Sequence, residues 1–181
     1  MAKEKMIQDW GEALETYAVP QWEELPKLSL YMDQVIGLME EYLSIYEKTG
    51  EKLITSSMVN NYVKLGIIPK PDKKRYNRVH LAYLIMICIL KQVLSISMIQ
   101  KMLPLTLTEE ELAHLFNAFQ DAQRQAFNEV TDRVYTTYGH LNNEDAKPTD
   151  YFSFFAQTAL TGNIYKIISA MIAENINTIT K

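Results

Sequence analysis

One cysteine is all that this 181-residue chain contains, and it lies inside the most apolar stretch of the sequence. A lone Cys88 can form neither an internal disulfide nor a cysteine-built zinc site, and in such surroundings a thiol serves as a small hydrophobe. Glycine and proline are scarce, six of each, which leaves little room for long flexible linkers. The three histidines, His80, His114 and His140, stand far apart. No Gly-rich phosphate loop or Ser/His/Asp spacing accompanies them, so the chain is read as not an enzyme, with no metal and no cofactor. Glu109, Glu110 and Glu111 come nearest to an acidic cluster, and an acid-rich helix start explains them without a ligand. The longest apolar run, Leu81 to Leu90, is well short of the roughly 20 residues a bilayer crossing takes. No apolar leader follows the first lysines, and the expectation is a cytoplasmic protein with no membrane partner.

What is present is an ordinary globular composition, 48% hydrophobic and 22% charged with a net charge of −4, enough for one well-buried core or two small ones. The charge is unevenly spread. Between Lys64 and His80 there are six Lys or Arg and one acid, Asp72, a local +5 in an acidic chain. Such a concentration is the pattern expected where one face meets a polyanion. The apolar run that follows reads as a helix buried on nearly all sides, anchoring the basic loop before it.

Apolar spacing predicts a mostly α fold. A first helix covers Glu4 to Tyr17, with Pro20 ending it, and Trp22 and Leu25 pin a wrapping segment, Gln21 to Tyr31. A second helix covers Tyr31 to Lys48, and Gly50 closes it. A third, short helix starts at Thr55 or Ser56 and stops at Gly66. Ile67 and Ile68 then enter the core, Pro69 and Pro71 stiffen the exit, and Asp72 to Asn77 forms a small turn or hairpin. Asn77 caps a helix from Arg78 to about Val93, and a short helix, Ser97 to Leu103, ends before Pro104. Thr108 opens a long helix that runs to about Tyr138 and ends at Gly139. Thr149 or Asp150 caps a last helix whose apolar face is too wide to pack on one neighbour.

From Thr55 to Leu103 the order of motifs resembles the winged helix-turn-helix of MerR-type transcription regulators. The residues that carry it are Tyr62-Val-Lys-Leu-Gly66-Ile-Ile-Pro69, then Lys74-Arg75-Tyr76-Asn77, then Leu94-Ser95-Ile96-Ser-Met-Ile99. The longer stretch from Leu30-Tyr31-Met32-Asp33 through Asn60-Asn61-Tyr62-Val63-Lys64 to His80-Leu81-Ala82-Tyr83-Leu84 looks like the bacterial family called domain of unknown function 1836. That family is regarded as MerR-like and has no established activity.

The resemblance implies double-stranded DNA as partner. A helix in the major groove needs short polar side chains at base edges, which Ser56, Ser57, Asn60 and Asn61 supply; Asn can bond bidentately to adenine. Lys64, Lys73, Lys74 and Arg75 would bind phosphates. Tyr62 and Tyr76 match aromatic positions of MerR proteins whose hydroxyl reaches a phosphate while the ring packs inward. Two departures stand out: Asn60 and Asn61 occupy places where MerR helices carry Arg and Tyr, and the helix from Tyr31 to Lys48 is longer and more acidic than a MerR first helix.

Three segments are expected: an N-terminal helix and arm over 1–30, a DNA-binding-like domain over 31–104, and a helical dimerisation or effector region over 105–181. Phe152, Phe155, Ile164, Ile168 and Met171 are the expected homodimer interface, since a two-fold protein suits a palindromic site. Tyr135, Tyr138, Tyr151, Phe154 and Phe155 are core aromatics or, alternatively, the lining of a pocket for an unknown small-molecule effector. Two function classes remain: a DNA-binding transcriptional regulator, or a helical protein-interaction or assembly module that does not bind DNA.

Overall fold

The structure, a computed structural model, describes residue 13, residues 16–46, residues 52–141 and residues 146–179. The helix expected over Glu4 to Tyr17 falls, with Trp10, largely outside the described residues. Six α-helices are found among the described residues: α1 (Met32–Tyr42), α2 (Ser56–Lys64), α3 (Arg78–Leu90), α4 (Ile96–Met102), α5 (Glu109–Leu141) and α6 (Pro148–Ile179). A single 3-10 turn, Trp22–Glu24, precedes them. No strand longer than an isolated bridge occurs among the described residues.

The centre is α3. Every residue from His80 to Cys88 is buried, because a helix apolar on all sides must be covered on all sides. Around it pack α1, the first turns of α5 and α4. Leu112 and Phe116 of α5 are buried in the same core. Trp22 meets Phe116 edge-on at 6.4 Å, and its backbone N–H donates to Asn117 Oδ1 at 2.9 Å. The wrapping arm is thereby pinned through Trp22 and Leu25, 5% and 1% exposed. One cluster of buried residues runs from Val19 to Ala173, so the three expected segments share a core.

Capping sets most element starts. Thr55, Asn77 and Ser95 each accept a backbone N–H from the first turn of α2, α3 and α4. Thr108 and Glu111 close a reciprocal box at the start of α5, with Thr108 N–H donating to Glu111 Oε2 at 2.8 Å and Glu111 N–H to Thr108 Oγ1 at 3.2 Å. The Thr108 N–H first, and then the Thr108 hydroxyl donating to the same Oε2 at 2.9 Å, hold the Glu111 carboxyl below its ordinary pKa. The box also satisfies N–H groups that a helix start leaves open.

Several boundaries differ from those the sequence suggests; the buried helix, for one, stops at Leu90 rather than near Val93, and the short helix after it runs one residue earlier than expected at each end. The helix expected to reach Lys48 ends at Tyr42, and the chain turns there because Leu43 folds inward and is fully buried. The long helix passes through Gly139 to Leu141. A glycine within a helix costs only about 1 kcal/mol, and the end is fixed by the Tyr151 hydroxyl donating to Leu141 O at 2.9 Å. The last helix starts at Pro148, which suits the first helical position because it lacks an N–H. Asp150 then accepts the Lys147 N–H at 2.8 Å.

Helices α5 and α6, roughly 50 Å each at 1.5 Å per residue, run out and back. The return brings Ala170 and Ala173 against the core beside α4. Between the arms lies a groove of about 510 Å³ lined by Val130, Val134, Phe154, Thr161 and Tyr165 among others. No helix among the described residues is long and apolar enough to cross a membrane.

Candidate nucleic-acid interface

The short helix α2 presents one polar face. Val59 and Tyr62 point inward, 0% and 4% exposed. Ser56, Ser57, Asn60, Asn61 and Lys64 are all exposed, and their spacing of three and four places them on the opposite side. A helix of only 9 residues is held by its ends. Thr55 Oγ1 accepts from Met58 N–H at 3.2 Å, and Gly66, at φ +65°, turns the chain so that Ile67 N–H donates to Tyr62 O at 2.9 Å. Ile67 and Ile68 then drop into the core, each 1% exposed. The Gln100 side-chain amide reaches Leu65 O at 3.4 Å, tying α4 to the same corner.

The basic segment forms a two-residue turn. Asp72 and Arg75 bridge antiparallel, Arg75 N–H donating to Asp72 O at 2.8 Å, and the tip is Lys73-Lys74. Both lysines have left-handed backbones, φ 46° and 63°. That is the geometry of the hairpin turns that ordinarily carry Asn-Gly or Asp-Gly. A Cβ there costs about 1–2 kcal/mol per residue. Lys64, Lys70, Lys73 and Lys74 are exposed, and among the described residues no carboxylate lies within ion-pair distance of them.

Arg75 is placed otherwise than the sequence suggests. Its guanidinium lies 4.5 Å over the Tyr31 ring and donates to the Tyr31 hydroxyl at 2.7 Å. Leu30 and Tyr76 exchange backbone bonds at 2.8 and 2.9 Å, so the arm is laced to the base of the turn. Arg78, from the same basic run, points away: it donates to Leu25 O at 3.3 Å and sits 5.3 Å over the Trp22 ring. Tyr31 is the partner sequence reasoning missed, since it stands 44 positions from Arg75 and nothing local signals the pairing.

The two tyrosines expected as phosphate contacts are packing residues. Tyr62 is 4% exposed and Tyr76 3% exposed. Burial pushes the Tyr62 hydroxyl up to about 12 and raises that of Tyr76. The Tyr76 ring meets His80 edge-on at 5.3 Å. His80 accepts the Asn77 N–H on Nδ1 at 3.1 Å, and burial lowers its pKa, against the opposing pull of the Lys70 and Pro69 carbonyls. Cys88 is buried, its thiol pushed up to about 12 by desolvation.

The five residues expected at a homodimer interface are divided. Ile164, Ile168 and Met171 lie on one side of α6, 56%, 45% and 60% exposed. Phe155 precedes Ile164 by nine positions, two and a half helical turns, and so faces the opposite way. It pairs with Phe152 at 6.4 Å. Leu160 and Ile167, which are not among the five, share the side of Ile164 and are 62% and 52% exposed. Of the aromatics considered for an effector, Phe154 lines the groove between α5 and α6, whereas Tyr151 holds the hairpin end. No group of three His, Cys, Asp or Glu able to hold a metal occurs among the described residues.

Comparison with known proteins matches residues 20–135 to a domain of unknown function, number 1836. That span takes in the arm, the polar helix, the basic turn and most of α5. Neither a curated protein nor a solved structure matches the chain.

Proposed function

We propose, for a chain that belongs to the domain of unknown function 1836 family, that it is a DNA-binding transcriptional regulator of MerR-like winged helix-turn-helix type. In this reading α2 enters the major groove and Asn60 and Asn61 meet base edges, flanked by Ser56 and Ser57. Lys64, Lys73 and Lys74 take phosphates, and Arg75 does so from its seat on Tyr31. Phosphate contacts supply salt-dependent affinity without sequence information; the asparagines supply the sequence. Tyr62 and Tyr76 support the helix and turn from within.

The observation that carries this reading is the tip of the turn. Two consecutive lysines hold left-handed backbones, at φ 46° and 63°, where Asn-Gly would fit without strain. Strain of this kind persists where the side chains it presents are needed, and a pair of unneutralised ammonium groups at a protruding tip suits a polyanion.

The test is retention of duplex genomic fragments by the pure protein at moderate salt, beside Lys73→Glu/Lys74→Glu. The reading expects the variant to lose at least tenfold in affinity with its helical content unchanged. Equal retention by both proteins, or none by either, sinks it. A second reading rests on the exposed apolar side of α6: the domain serves as an assembly module and contacts no DNA. It expects no retention by either protein.

A further inference from the structure

We infer that the pocket between α5 and the segment leading into the arm binds an adenine nucleotide, with the base on Gln120 and the phosphate on Arg124. This inference makes no use of DNA binding. Leu112 and Phe116 of α5 are buried four positions apart, and the next position on that stripe is Gln120, an amide where an apolar side chain would continue the core. Gln120 is 3% exposed, and its amide oxygen and nitrogen are both shut off from water without a hydrogen-bond partner. An amide stripped of water and left unpaired is costly. It calls for a partner from outside the chain.

The same residue lines a pocket of about 230 Å³, bounded by Tyr17, Val19 and Glu24 on one side and by Gln120, Arg124 and Phe127 of α5 on the other. At ~30 Å³ per water that is room for about seven waters, the scale of a metabolite. The walls are already set. The Tyr17 hydroxyl donates to Tyr42 O at 2.6 Å, and its ring meets Phe127 edge-on at 5.4 Å. Gln123, on the same wall, donates its amide to the Tyr46 hydroxyl at 2.7 Å. Gln120 alone is uncommitted among these polar wall residues, and the last torsion of a glutamine is soft, so its amide turns readily onto a group seated in the pocket.

Chemistry at the floor and the rim selects the ligand. A primary amide offers a donor beside an acceptor, the complement of adenine's N7 acceptor and N6 amino donor, and glutamine bonds adenine bidentately through that pair. The half-buried rings of Tyr17 and Phe127 give a flat base apolar surface to pack against. At the rim, Glu24 is exposed; its Oε2 accepts the Gln21 N–H at 2.7 Å, and a carboxylate has acceptor capacity left for a ribose hydroxyl. Arg124 is exposed as well. Its ion pair with Asp121, 2.6 Å long, joins side chains 61% and 62% exposed, and a surface pair of this kind holds weakly. The guanidinium therefore has N–H groups to turn toward a phosphate. A hypoxanthine base carries acceptors at both N7 and O6, which would leave the Gln120 oxygen unpaired, so the pocket discriminates for adenine.

Isothermal titration of the intact chain with adenosine monophosphate should show one site per chain, and inosine monophosphate should bind roughly tenfold more weakly or worse. Gln120→Leu, close in size and apolar, should lose the site, while its melting temperature without nucleotide stays level or rises because the unpaired amide is gone. Arg124→Ala lies at the surface and should keep the fold; it should weaken adenosine monophosphate roughly tenfold and leave adenosine unchanged. Lys73→Glu/Lys74→Glu should bind the nucleotide as wild type does. Neither heat nor a rise in melting temperature with adenosine or its monophosphate at millimolar concentration would overturn the inference and leave the pocket to water. Undiminished binding by Gln120→Leu overturns it equally, as does loss of binding in the double lysine variant, which would put the phosphate at the basic turn. Because these titrations contain no DNA, a chain that retains no duplex can still bind the nucleotide, and one that retains duplex can still fail to.

Discussion

Arg75 lies flat over Tyr31, its guanidinium 4.5 Å from the ring centroid and a hydrogen bond of 2.7 Å running to the hydroxyl. The pair joins the arm before α1 to the basic turn before α3, at the level where Leu30 and Tyr76 exchange their backbone bonds. A cation over an exposed ring contributes about 0.5–1 kcal/mol, and a hydrogen bond to a charged group about 1.5–3 kcal/mol, the lower ends applying at a half-exposed site. Tyr31→Ala should therefore destabilise the fold by about 1–2 kcal/mol in urea titration. Tyr31→Phe, which keeps the stack and loses the hydrogen bond, should recover about a quarter of that loss. If the two variants match wild type, the stack is idle.

Two glycines of similar surroundings should respond in opposite directions to alanine. Neither Gly37, within α1, nor Gly66 has any atom within 4 Å of an added Cβ, so backbone conformation alone decides. Gly37→Ala should stabilise by about 0.5–1 kcal/mol, because glycine loses more freedom on entering a helix. Gly66 sits at φ +65°, and Gly66→Ala should cost about 1 kcal/mol or more. Thermal melts of both variants check this, and a shared sign would contradict it.

His80 gives the stability a pH dependence with a definite sign. Burial lowers its pKa from the ordinary 6.5, so the unfolded chain takes up a proton before the folded one does. Above about pH 7 both states are neutral and His80 contributes no slope. As pH falls below 6.5 the unfolded state is favoured progressively, until the folded ring also protonates. Melting temperature should fall between about pH 7.5 and about pH 5.5, and His80→Gln should flatten the decline. An unchanged slope in that variant would assign the dependence elsewhere.

The legibility of this chain in its sequence follows the range of the interactions. Caps were legible because they are local: Thr55, Asn77 and Thr108 lie within three residues of the N–H groups they satisfy. The buried α3 was legible because an unbroken apolar run from Leu81 to Leu90 admits no amphipathic alternative. The turn inward at Leu43 was not, since a residue that leaves a helix to fill a core does so for neighbours distant in sequence. Nor was the seat of Arg75 on Tyr31, for the same reason. On α6 the apolar residues were all visible, but their count hid their direction. Over a 32-residue helix, Phe155 and Ile164 read as one face only if the half-turn between them is ignored.

Phe116 tests the claim that α5 belongs to the same core as α3. It is fully buried and meets Trp22 of the arm. Phe116→Ala should cost about 3–5 kcal/mol, the range for emptying a fully enclosed aromatic site, and should unfold α3 together with the arm in a single transition. A loss below about 1 kcal/mol, far under that range, or a melt in which α5 separates first, would mean that α5 is only appended.

The turn at Lys73-Lys74 sets stability against binding, and the two can be read on one variant. Left-handed backbone at both positions is unfavourable for lysine and natural for Asn-Gly, so Lys73→Asn/Lys74→Gly should raise stability by about 1–2 kcal/mol without moving Asp72 or Arg75. The same change removes two positive charges from the tip. If those charges meet phosphates, the logarithmic dependence of duplex affinity on salt should become shallower by roughly two charges' worth, and affinity at moderate salt should fall at least tenfold. A chain stabilised and weakened together would show that the strained turn is kept for what its lysines touch. A chain stabilised with its affinity intact would place the contact elsewhere on the molecule. A chain destabilised would mean that the lysine stems make packing contacts that outweigh the backbone strain.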